Sequence, residues 1–244
     1  IIGDSCKDIF VYGYINRLTP EAPVPVFNPT RELSNDGMAK NVANNVEALG
    51  CTIYTITNPN SIKKVRYVDE KSKQLVLRVD EHDYCDRVAV ELPKGNKCKI
   101  GLGGDVEVGA IIISDYCKGF LDEEDIRFIT GKCNNVFLDT KKEIGDWVND
   151  VDFIKINELE YKKNYSGNPN DDKLIVTLGS KGCRYKDELF PVEEVSVKDV
   201  SGAGDTFMSA LVVEYIKTGD IRKSINFAQE CTTKVVQQPG VVTI

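Results

Sequence analysis

Short apolar runs alternate along much of the chain with segments in which apolar residues recur at helical spacing. The runs are rich in isoleucine, valine and leucine, and they cover residues 109–114, 135–139, 153–156 and 174–178. Strands that are apolar without interruption are typical of a parallel sheet covered by helices on both faces. The pattern therefore predicts an α/β fold with a mostly parallel central sheet.

Two of the segments between these runs have amphipathic periodicity. In residues 41–49 the apolar positions fall on one helical face, and Gly50 follows as a helix C-terminal signal. Residues 203–217 show a second such pattern, which Gly219 closes. We expect one helix in each segment.

Two stretches, residues 9–27 and 64–80, depart from this alternation. In the second one, apolar residues recur at every other position between charged neighbours. This is the pattern of strands that are half exposed to water. We predict that both stretches form a small sheet, a lid over the edge of the main sheet, and that the polar segment 165–173 is a surface loop. With no repeat or linker in the chain, residues 1–244 are expected to form a single domain.

Composition narrows the class of partner. The 244 residues, of which 41% are hydrophobic, suffice for one large core. The 31 basic and 38 acidic side chains give a net charge of −7, which disfavours nucleic acid and anionic membranes and favours a small-molecule partner. No apolar run approaches the roughly 18 to 20 residues that cross a bilayer, and the first residues lack the pattern of a secretory signal. A cytoplasmic protein is expected.

The eight cysteines are scattered without a C-x-x-C pair, and His82 is the one histidine available to a zinc site. We interpret the cysteines as reduced thiols. A disulfide scaffold, which suits small secreted chains, is the alternative.

The segment from Asp199 to Phe207 carries the strongest chemical signal. The main-chain amides of Gly202, Ala203 and Gly204 precede a helix, where they would form a cradle for phosphoryl charge. Asp205 follows, and its carboxylate could accept the proton of an attacking hydroxyl group. The alternative is that the glycines make a tight turn and that Asp205 caps the helix.

The same segment, Asp-x-x-Gly-Ala-Gly-Asp-x-Phe, resembles the signature of the ribokinase, or PfkB, family of carbohydrate kinases. Further motifs of this family occur in family order: Gly3-Asp4-x-x-x-Asp8, Gly37-Met38-Ala39-Lys40-Asn41, Asn157-x-x-Glu160 and Thr177-x-Gly179-x-x-Gly182. The resemblance implies a three-layer α/β/α fold with a small β-sheet lid. It also implies transfer of the γ-phosphate of ATP to a sugar hydroxyl, with Asp205 as general base.

The resemblance assigns roles on the sugar side of the site. Asp8 and Asn41 match positions that hold sugar hydroxyls, and Asp4 matches the first acidic position of the same motif. Gly37 would let the helix start approach the sugar. An Asn at a helix start is, without that context, more often a cap.

On the nucleotide side, Asn157 and Glu160 match the pair that organises Mg²⁺, its waters and the ATP phosphates. The nucleotide-side turn is matched by Thr177, Gly179 and Gly182. Asp199 and Ser201 stand where the ligands of a monovalent cation such as K⁺ would begin. The alternative for Asn-x-x-Glu is an ordinary solvated helix.

Within the family, the chain resembles the kinases of D-glycero-D-manno-heptose 7-phosphate, which act at the anomeric hydroxyl in nucleotide-sugar (ADP-heptose-type) synthesis. The segments that carry this are 17–26, Lys64-x-Arg66, Gln74-x-x-x-Arg78-x-Asp80, and Ser114-Asp115-Tyr116-x-Lys118-Gly119. Asp115 is a further candidate substrate ligand in the last of these. Lys64, Arg66, Arg78 and Lys118 could supply the cations that the sugar's own phosphate needs, or they could be solvated edge-strand charges. Lid-to-lid homodimers are usual among relatives.

Two departures from the branch leave alternatives open. Met38 replaces a glycine and puts a bulky side chain close to the sugar pocket or behind it, and the stretch from Ile56 to Lys64 is shorter than usual. A kinase for another sugar or a nucleoside, or a binding protein that has lost catalysis, would also fit. Any later nucleotidyl transfer is expected to belong to another protein.

Overall fold

A computed structural model describes residues 1–59, 62–87, 108–131, 133–164 and 172–244. Its regular elements, in chain order, are β1 (Ile2–Gly3), β2 (Ser5–Leu18), β3 (Pro25–Met38), α1 (Ala39–Ala48), β4 (Ile56–Thr57), β5 (Ile62–Asp69), β6 (Leu75–Glu81), β7 (Ile111–Asp115), α2 (Glu123–Thr130), β8 (Val136–Thr140), β9 (Phe153–Asn157), α3 (Glu158–Asn164), β10 (Leu174–Thr177), β11 (Cys183–Tyr185), β12 (Glu188–Phe190), α4 (Ala203–Thr218) and α5 (Ile221–Val235).

The main sheet has eight strands in the order β12-β11-β10-β9-β8-β7-β1-β4. From β10 to β4 all neighbours pair in parallel, whereas β11 and β12 run antiparallel. The predicted α/β class and the mostly parallel sheet are therefore confirmed. The carboxyl ends of the parallel strands meet at one edge, which is where open α/β sheets bind ligands.

Alternating side chains of the central strands fill two separate cores. In β7, Ile111 and Ile113 pack with α2 on one face of the sheet, and Ile112 packs with α1, α4 and α5 on the other. The same alternation holds in β8, where Leu138 and Phe137 face opposite ways. Helices thus cover both faces, as the uninterrupted apolar runs predicted.

The predicted helices correspond to α1 and α4. Gly219 ends α4 with φ of 65°, a left-handed conformation in which glycine carries no steric penalty. No helix within the described ranges is long and apolar enough to span a membrane.

The small sheet has the strand order β3-β2-β5-β6. Strand β2 leaves the main sheet immediately after Asp4, pairs antiparallel with β3 and parallel with β5, and β6 completes the sheet. The prediction placed the first lid stretch at 9–27, but β3 continues to Met38. This continuation is not predicted because residues 28–34 are exposed and, apart from Pro29 and Leu33, polar, so they lack the alternation that marks a half-buried strand.

Two sequence predictions fall outside the described residues in whole or in part. Of the proposed loop 165–173, only the last two residues are among those that the structure describes. Cys98 lies outside the described ranges. The seven cysteines in the described ranges form no disulfide.

Candidate active site

Asp205 lies in the first turn of α4 with only 4% of its surface exposed. Burial raises the pKa of its carboxyl group from 3.8 to about 6, although hydrogen bonds from Asn41 and Tyr116 act in the opposite direction. The group is therefore mostly ionised at neutral pH and can accept a proton, as a general base must.

Two side chains from other elements orient this carboxylate. Asn41 Nδ2, in α1, donates to Asp205 Oδ2 at 2.8 Å, and the Tyr116 hydroxyl, just after β7, donates to Oδ1 at 2.8 Å. Asn45 in turn donates to the side-chain and main-chain oxygens of Asn41. Each carboxylate oxygen keeps a further lone pair for a substrate hydroxyl.

The turn before α4 presents main-chain amides beside this carboxylate. Gly202 has φ of 78°, and a Cβ there would lie 2.8 Å from Asn41 Nδ2, so both conformation and space require glycine. The amide of Ala203 donates to Val200 O at 3.2 Å. Among the described residues, the amides of Gly202 and Gly204 have no main-chain acceptor, as expected at a helix start. Two of the three predicted cradle amides are thus available, and Ala203 closes the turn. We call Asn41, Tyr116, Gly202, Gly204 and Asp205 the transfer site.

A cavity of about 300 Å³ adjoins this turn. Ala203 and Gly204 line one side, and Thr177, Gly179 and Gly182 line another. The motifs at 177–182 and 199–207 therefore share one cavity. Gly182 is needed there because its φ is 91° and a Cβ would lie 1.9 Å from Phe190 O.

Asn157 and Glu160 cap the start of α3 reciprocally. Glu160 N donates to Asn157 Oδ1 and Asn157 N donates to Glu160 Oε2, each at 2.8 Å. Burial raises the pKa of Glu160, but Lys141 at 2.6 Å and the Asn157 amide outweigh it, so the net pKa is lowered. An ionised carboxylate and an amide oxygen at the carboxyl edge fit a Mg²⁺ held largely through water. In the described residues, no group of three acidic, histidine or cysteine side chains could hold a metal directly.

One face of the small sheet carries a cluster of charges. In the strand register, Asp8, Lys64 and Asp80 form one row, and Arg66 and Arg78 lie opposite each other in the next row. Arg66 pairs with Asp8, and Arg78 donates two hydrogen bonds to Asp80 at 2.7 and 2.9 Å. We call these five residues the charged face.

The charged face reaches the transfer site through Tyr116. Lys64 Nζ lies 5.4 Å from the centroid of the Tyr116 ring, and Lys141 Nζ lies 4.8 Å from it. Lys118, which pairs with Asp83 at 2.6 Å, is close enough to lower the pKa of Asp80, although the Arg78 hydrogen bond lowers it most. All four predicted cations thus have an acidic or aromatic neighbour.

Residues 124–244 match the family model described as pfkB family carbohydrate kinase. These residues, about half of the chain, are thus similar to a pfkB-family carbohydrate kinase domain. This match confirms the predicted enzyme class, an ATP-dependent carbohydrate kinase.

Curated relatives cover the whole chain. The bifunctional protein HldE of Helicobacter acinonychis (strain Sheeba) is 27% identical over 292 positions, which include 98% of this chain and 63% of the relative. HldE of Hyphomonas neptunium is 26% identical over 100% of this chain and 60% of the relative. The chain thus spans about three fifths of these proteins. Because the alignments are longer than 244 residues, the relatives also contain residues with no counterpart in it.

Solved structures share the fold. Ribokinase from Thermotoga maritima superposes with a TM-score of 0.64 at 17% identity, covering 99% of this chain and 94% of that one. Ribokinase from Arabidopsis thaliana, complexed with ribose and ATP, gives 0.63 at 16% identity, with 98% and 92% covered. Phosphofructokinase-2 from Escherichia coli, in complex with potassium, gives 0.64 at 13% identity, with 99% and 94% covered.

Several candidate ligands of the kinase domain have internal partners. The Asp4 carboxylate accepts the amides of Tyr116 and Phe120, and burial raises its pKa. Asp115 accepts hydrogen bonds from Thr140 Oγ1 and Lys142 Nζ, each at 2.6 Å. These contacts organise the loop after β7, so a direct contact with substrate stays a prediction for both aspartates.

Gly37 and Met38 lie at the junction of β3 and α1. A Cβ on Gly37 would lie 2.2 Å from Asp8 Oδ2, so glycine makes room for that carboxylate. Met38 has φ of 59° and its side chain is buried in the core with Ile2. The bulky side chain therefore lies behind the pocket, and its backbone adopts a conformation that favours glycine.

Asp199 and Ser201, the predicted start of a monovalent-cation site, lie in the loop before the turn. The Asp199 carboxylate accepts the amides of Ser201 at 2.8 Å and Gly240 at 3.0 Å. It ties the two loops together, and a cation there stays a prediction.

Sequence reasoning assigned no role to three residues of the site. Tyr116 was part of a motif, but its hydroxyl could not be matched to Asp205, 89 positions away. Lys155 and Asp139, a buried ion pair beside Gly204, lie in segments whose sequence predicts only apolar strands. The sequence signal for this pair is one charged residue within each of two otherwise apolar runs.

Proposed function

We propose that the chain transfers the γ-phosphoryl group of ATP to the anomeric hydroxyl of a sugar phosphate, D-glycero-D-manno-heptose 7-phosphate. The observation that carries this proposal is the transfer site, where one buried carboxylate stands beside two amides that have no main-chain acceptor in the described part of the chain. The curated relatives support the acceptor, because they carry the name of heptose kinase–adenylyltransferases.

Asp205 acts as the base in this proposal. The attacking hydroxyl donates to a free lone pair of its carboxylate and transfers the proton as the oxygen bonds to phosphorus. Asn41 and Tyr116 hold the carboxylate plane while this happens. Since the pKa of Asp205 is about 6, activity should fall as the pH drops through that value and protonates the base.

The amides of Gly202 and Gly204 stabilise the charge that develops on the transferring phosphoryl group. The adjoining cavity receives the nucleotide, with its terminal phosphate directed toward this turn. Asn157 and Glu160 would hold Mg²⁺, partly through water, and the metal would neutralise charge on the ATP phosphates. K⁺ near Asp199 and Ser201 is a weaker part of the proposal.

The charged face binds the phosphate that the sugar already carries. Lys64 is the best placed of its cations, because its ammonium group lies against the ring of Tyr116, whose hydroxyl donates to Asp205. Arg66 and Arg78 can exchange carboxylate partners for phosphate, which offers arginine the same planar, bidentate geometry.

A homodimer through the small sheet would complete the lid. Leu18, Leu33, Leu75 and Leu77 of this sheet are about half exposed, which suits contact with a second copy. Sedimentation of the Leu75→Glu/Leu77→Glu variant should give a monomer. Leu159→Glu, on α3, is the matched control and should leave the dimer intact.

A panel of acceptors with ATP tests the assignment. Release of ADP is measured with the heptose 7-phosphate, with the same heptose lacking phosphate, and with ribose, fructose 6-phosphate and adenosine. We expect kcat/KM to be highest for the heptose 7-phosphate, and at least about tenfold lower without its phosphate, in line with one lost charge-assisted contact. A preference for an unphosphorylated acceptor would remove the heptose phosphate assignment and leave a kinase of other specificity. No ADP release with any acceptor would favour a binding protein.

A further inference from the structure

Lys155 and Asp139 form an ion pair in the interior of the main sheet. They lie opposite each other on the neighbouring strands β9 and β8, and Lys155 Nζ is 2.7 Å from Asp139 Oδ2. Among the ion pairs of the described ranges, it is the one in which both side chains are less than a tenth exposed. Both point to the face covered by α4, because Phe137 and Phe153, two positions earlier in each strand, pack there.

Stability alone does not account for this pair. Moving two charges out of water costs more than their attraction usually returns, and a well-packed apolar pair at such a position is often as stable or more so. The residues that precede this pair in β8 and β9 are apolar, so an apolar pair would suit the sheet. The Asp139 carboxylate, 2.7 Å from Lys155 Nζ, favours the charged form of this ammonium group. The ammonium group therefore stays charged.

The ammonium group meets the transfer site at Gly204. A Cβ on Gly204 would lie 2.8 Å from Lys155 Nζ, so glycine at this position lets the cation approach the main chain of the turn. Asp205 is the next residue.

We propose that Lys155, held by Asp139, is a positioning residue that places a fixed positive charge behind the Gly204 turn and beside Asp205. This inference rests on the proposed function of Asp205 as base. The cation favours the ionised carboxylate, and Asp139 opposes it. The charge also supports the turn whose amides face the phosphoryl group.

Five groups from five elements face Asp205 and bear on its protonation. Asn41 and Tyr116 donate hydrogen bonds to it, Asp139 raises its pKa and Lys155 lowers it. The fifth is the thiol of Cys6, whose pKa burial raises to about 12, so it stays neutral over the relevant range. A change in the acid limb of the pH profile can therefore be traced to the ion pair when the other three are left intact.

Three variants of the full chain test the proposal: Lys155→Met, Asp139→Asn and the double variant. In Lys155→Met, the acid limb of kcat/KM against pH should move up by about one unit, the size expected for a lost neighbouring charge. Turnover at pH 7 should fall about tenfold, more than the roughly twofold that the moved limb alone explains, because the Gly204 turn also loses its supporting charge. In Asp139→Asn, the limb should move down, because the cation remains without its opposing carboxylate. In the double variant, the limb should return close to the wild-type position while turnover stays low.

Lys162→Met is the control, because it removes a lysine from an exposed pair with Glu158 on α3, and its limb should not move. Opposite shifts in the two single variants are the signature of an electrostatic role. Shifts in the same direction, or an unchanged limb in Lys155→Met, would overturn the proposal. If Lys155→Met fails to fold, the proposal still requires that the acid limb of Asp139→Asn move to lower pH and that the double variant have low turnover. Failure of either result would overturn it.

Titration of the Asp205 side-chain carboxyl carbon by NMR gives the same readout without turnover. It should follow the same opposite shifts. If the carboxyl titrates as expected but no acceptor is phosphorylated, the proposed function fails and the electrostatic role stands. If acceptors are phosphorylated and the carboxyl does not respond to the ion pair, the positioning role fails alone.

Discussion

The transfer site and the charged face of the small sheet are both built from charged side chains, but they hold their charges differently. Asp205 is buried and receives one hydrogen bond on each oxygen from fixed donors. On the charged face, the Arg78 side chain is 42% exposed and binds a carboxylate two residues away on its own strand. Burial sets the protonation state in the first region, whereas in the second water screens the more exposed pair, Arg78 and Asp80, and lets it change partners. The first region suits proton transfer, and the second suits binding.

The largest effect should follow removal of the base. Asp205→Asn keeps the size of the side chain but cannot accept the proton, so we expect kcat to fall by about a hundredfold or more, the usual contribution of a general base. ATP affinity by calorimetry should change little, because Asp205 does not line the cavity. Asp220→Asn, an exposed helix cap, is the control. Turnover equal to wild type in Asp205→Asn would contradict the mechanism.

The next largest effect separates the two faces of the small sheet. Lys64 lies on the charged face, and Lys63 points to the opposite side of the same strand. Lys64→Met should lower kcat/KM for the sugar phosphate by about tenfold, as expected for one charge-assisted contact, and should leave kcat nearly unchanged. Steady-state kinetics should show Lys63→Met within about twofold of wild type, the range of a screened surface charge. Equal effects of both substitutions would show that the cations act only through net charge.

A smaller effect should come from the tyrosine that touches both regions. Tyr116→Phe removes the hydrogen bond that lowers the pKa of Asp205, so that pKa should rise from about 6 and the acid limb of kcat/KM should move to higher pH. Turnover at pH 7 should fall several-fold, and turnover at pH 9 should recover. Tyr12→Phe, on the small sheet, should show neither change. A limb that moves to lower pH would mean that the hydroxyl group does not donate to the carboxylate.

The smallest effect on activity is expected at Met38, where substitution should change mainly the stability of the fold. Its backbone conformation costs about 1–3 kcal/mol for a residue with a side chain, and its buried side chain contributes about 2–5 kcal/mol. Met38→Gly loses the packing of the buried side chain but relieves the backbone strain. Met38→Ala loses most of the packing and keeps the strain. Urea denaturation should therefore show the glycine variant to be more stable than the alanine variant. The usual order, with alanine more stable, would contradict this account of the backbone.

The sequence was most informative where residues close in the chain act together. The amides at 202–204 and Asp205 belong to one turn and one helix, and the apolar runs predicted β7 to β10 to within about two residues. It was least informative for β3, where residues 28–34 are exposed and mostly polar, and for the partners of Asp205. Those partners come from residues 41, 116, 139 and 155, and no local pattern reports which of them the sheet brings together.

By itself, the sequence determined the fold class, the resemblance to the pfkB family of carbohydrate kinases and the residue that we propose as base. Periodicity and short motifs are local properties, so they can be read without coordinates. Only the tertiary structure decided how that base is held, because two donors from distant segments and one buried ion pair converge on it across parallel strands. It also decided that Met38 lies behind the pocket, since the direction of a side chain at a strand–helix junction depends on the core that receives it.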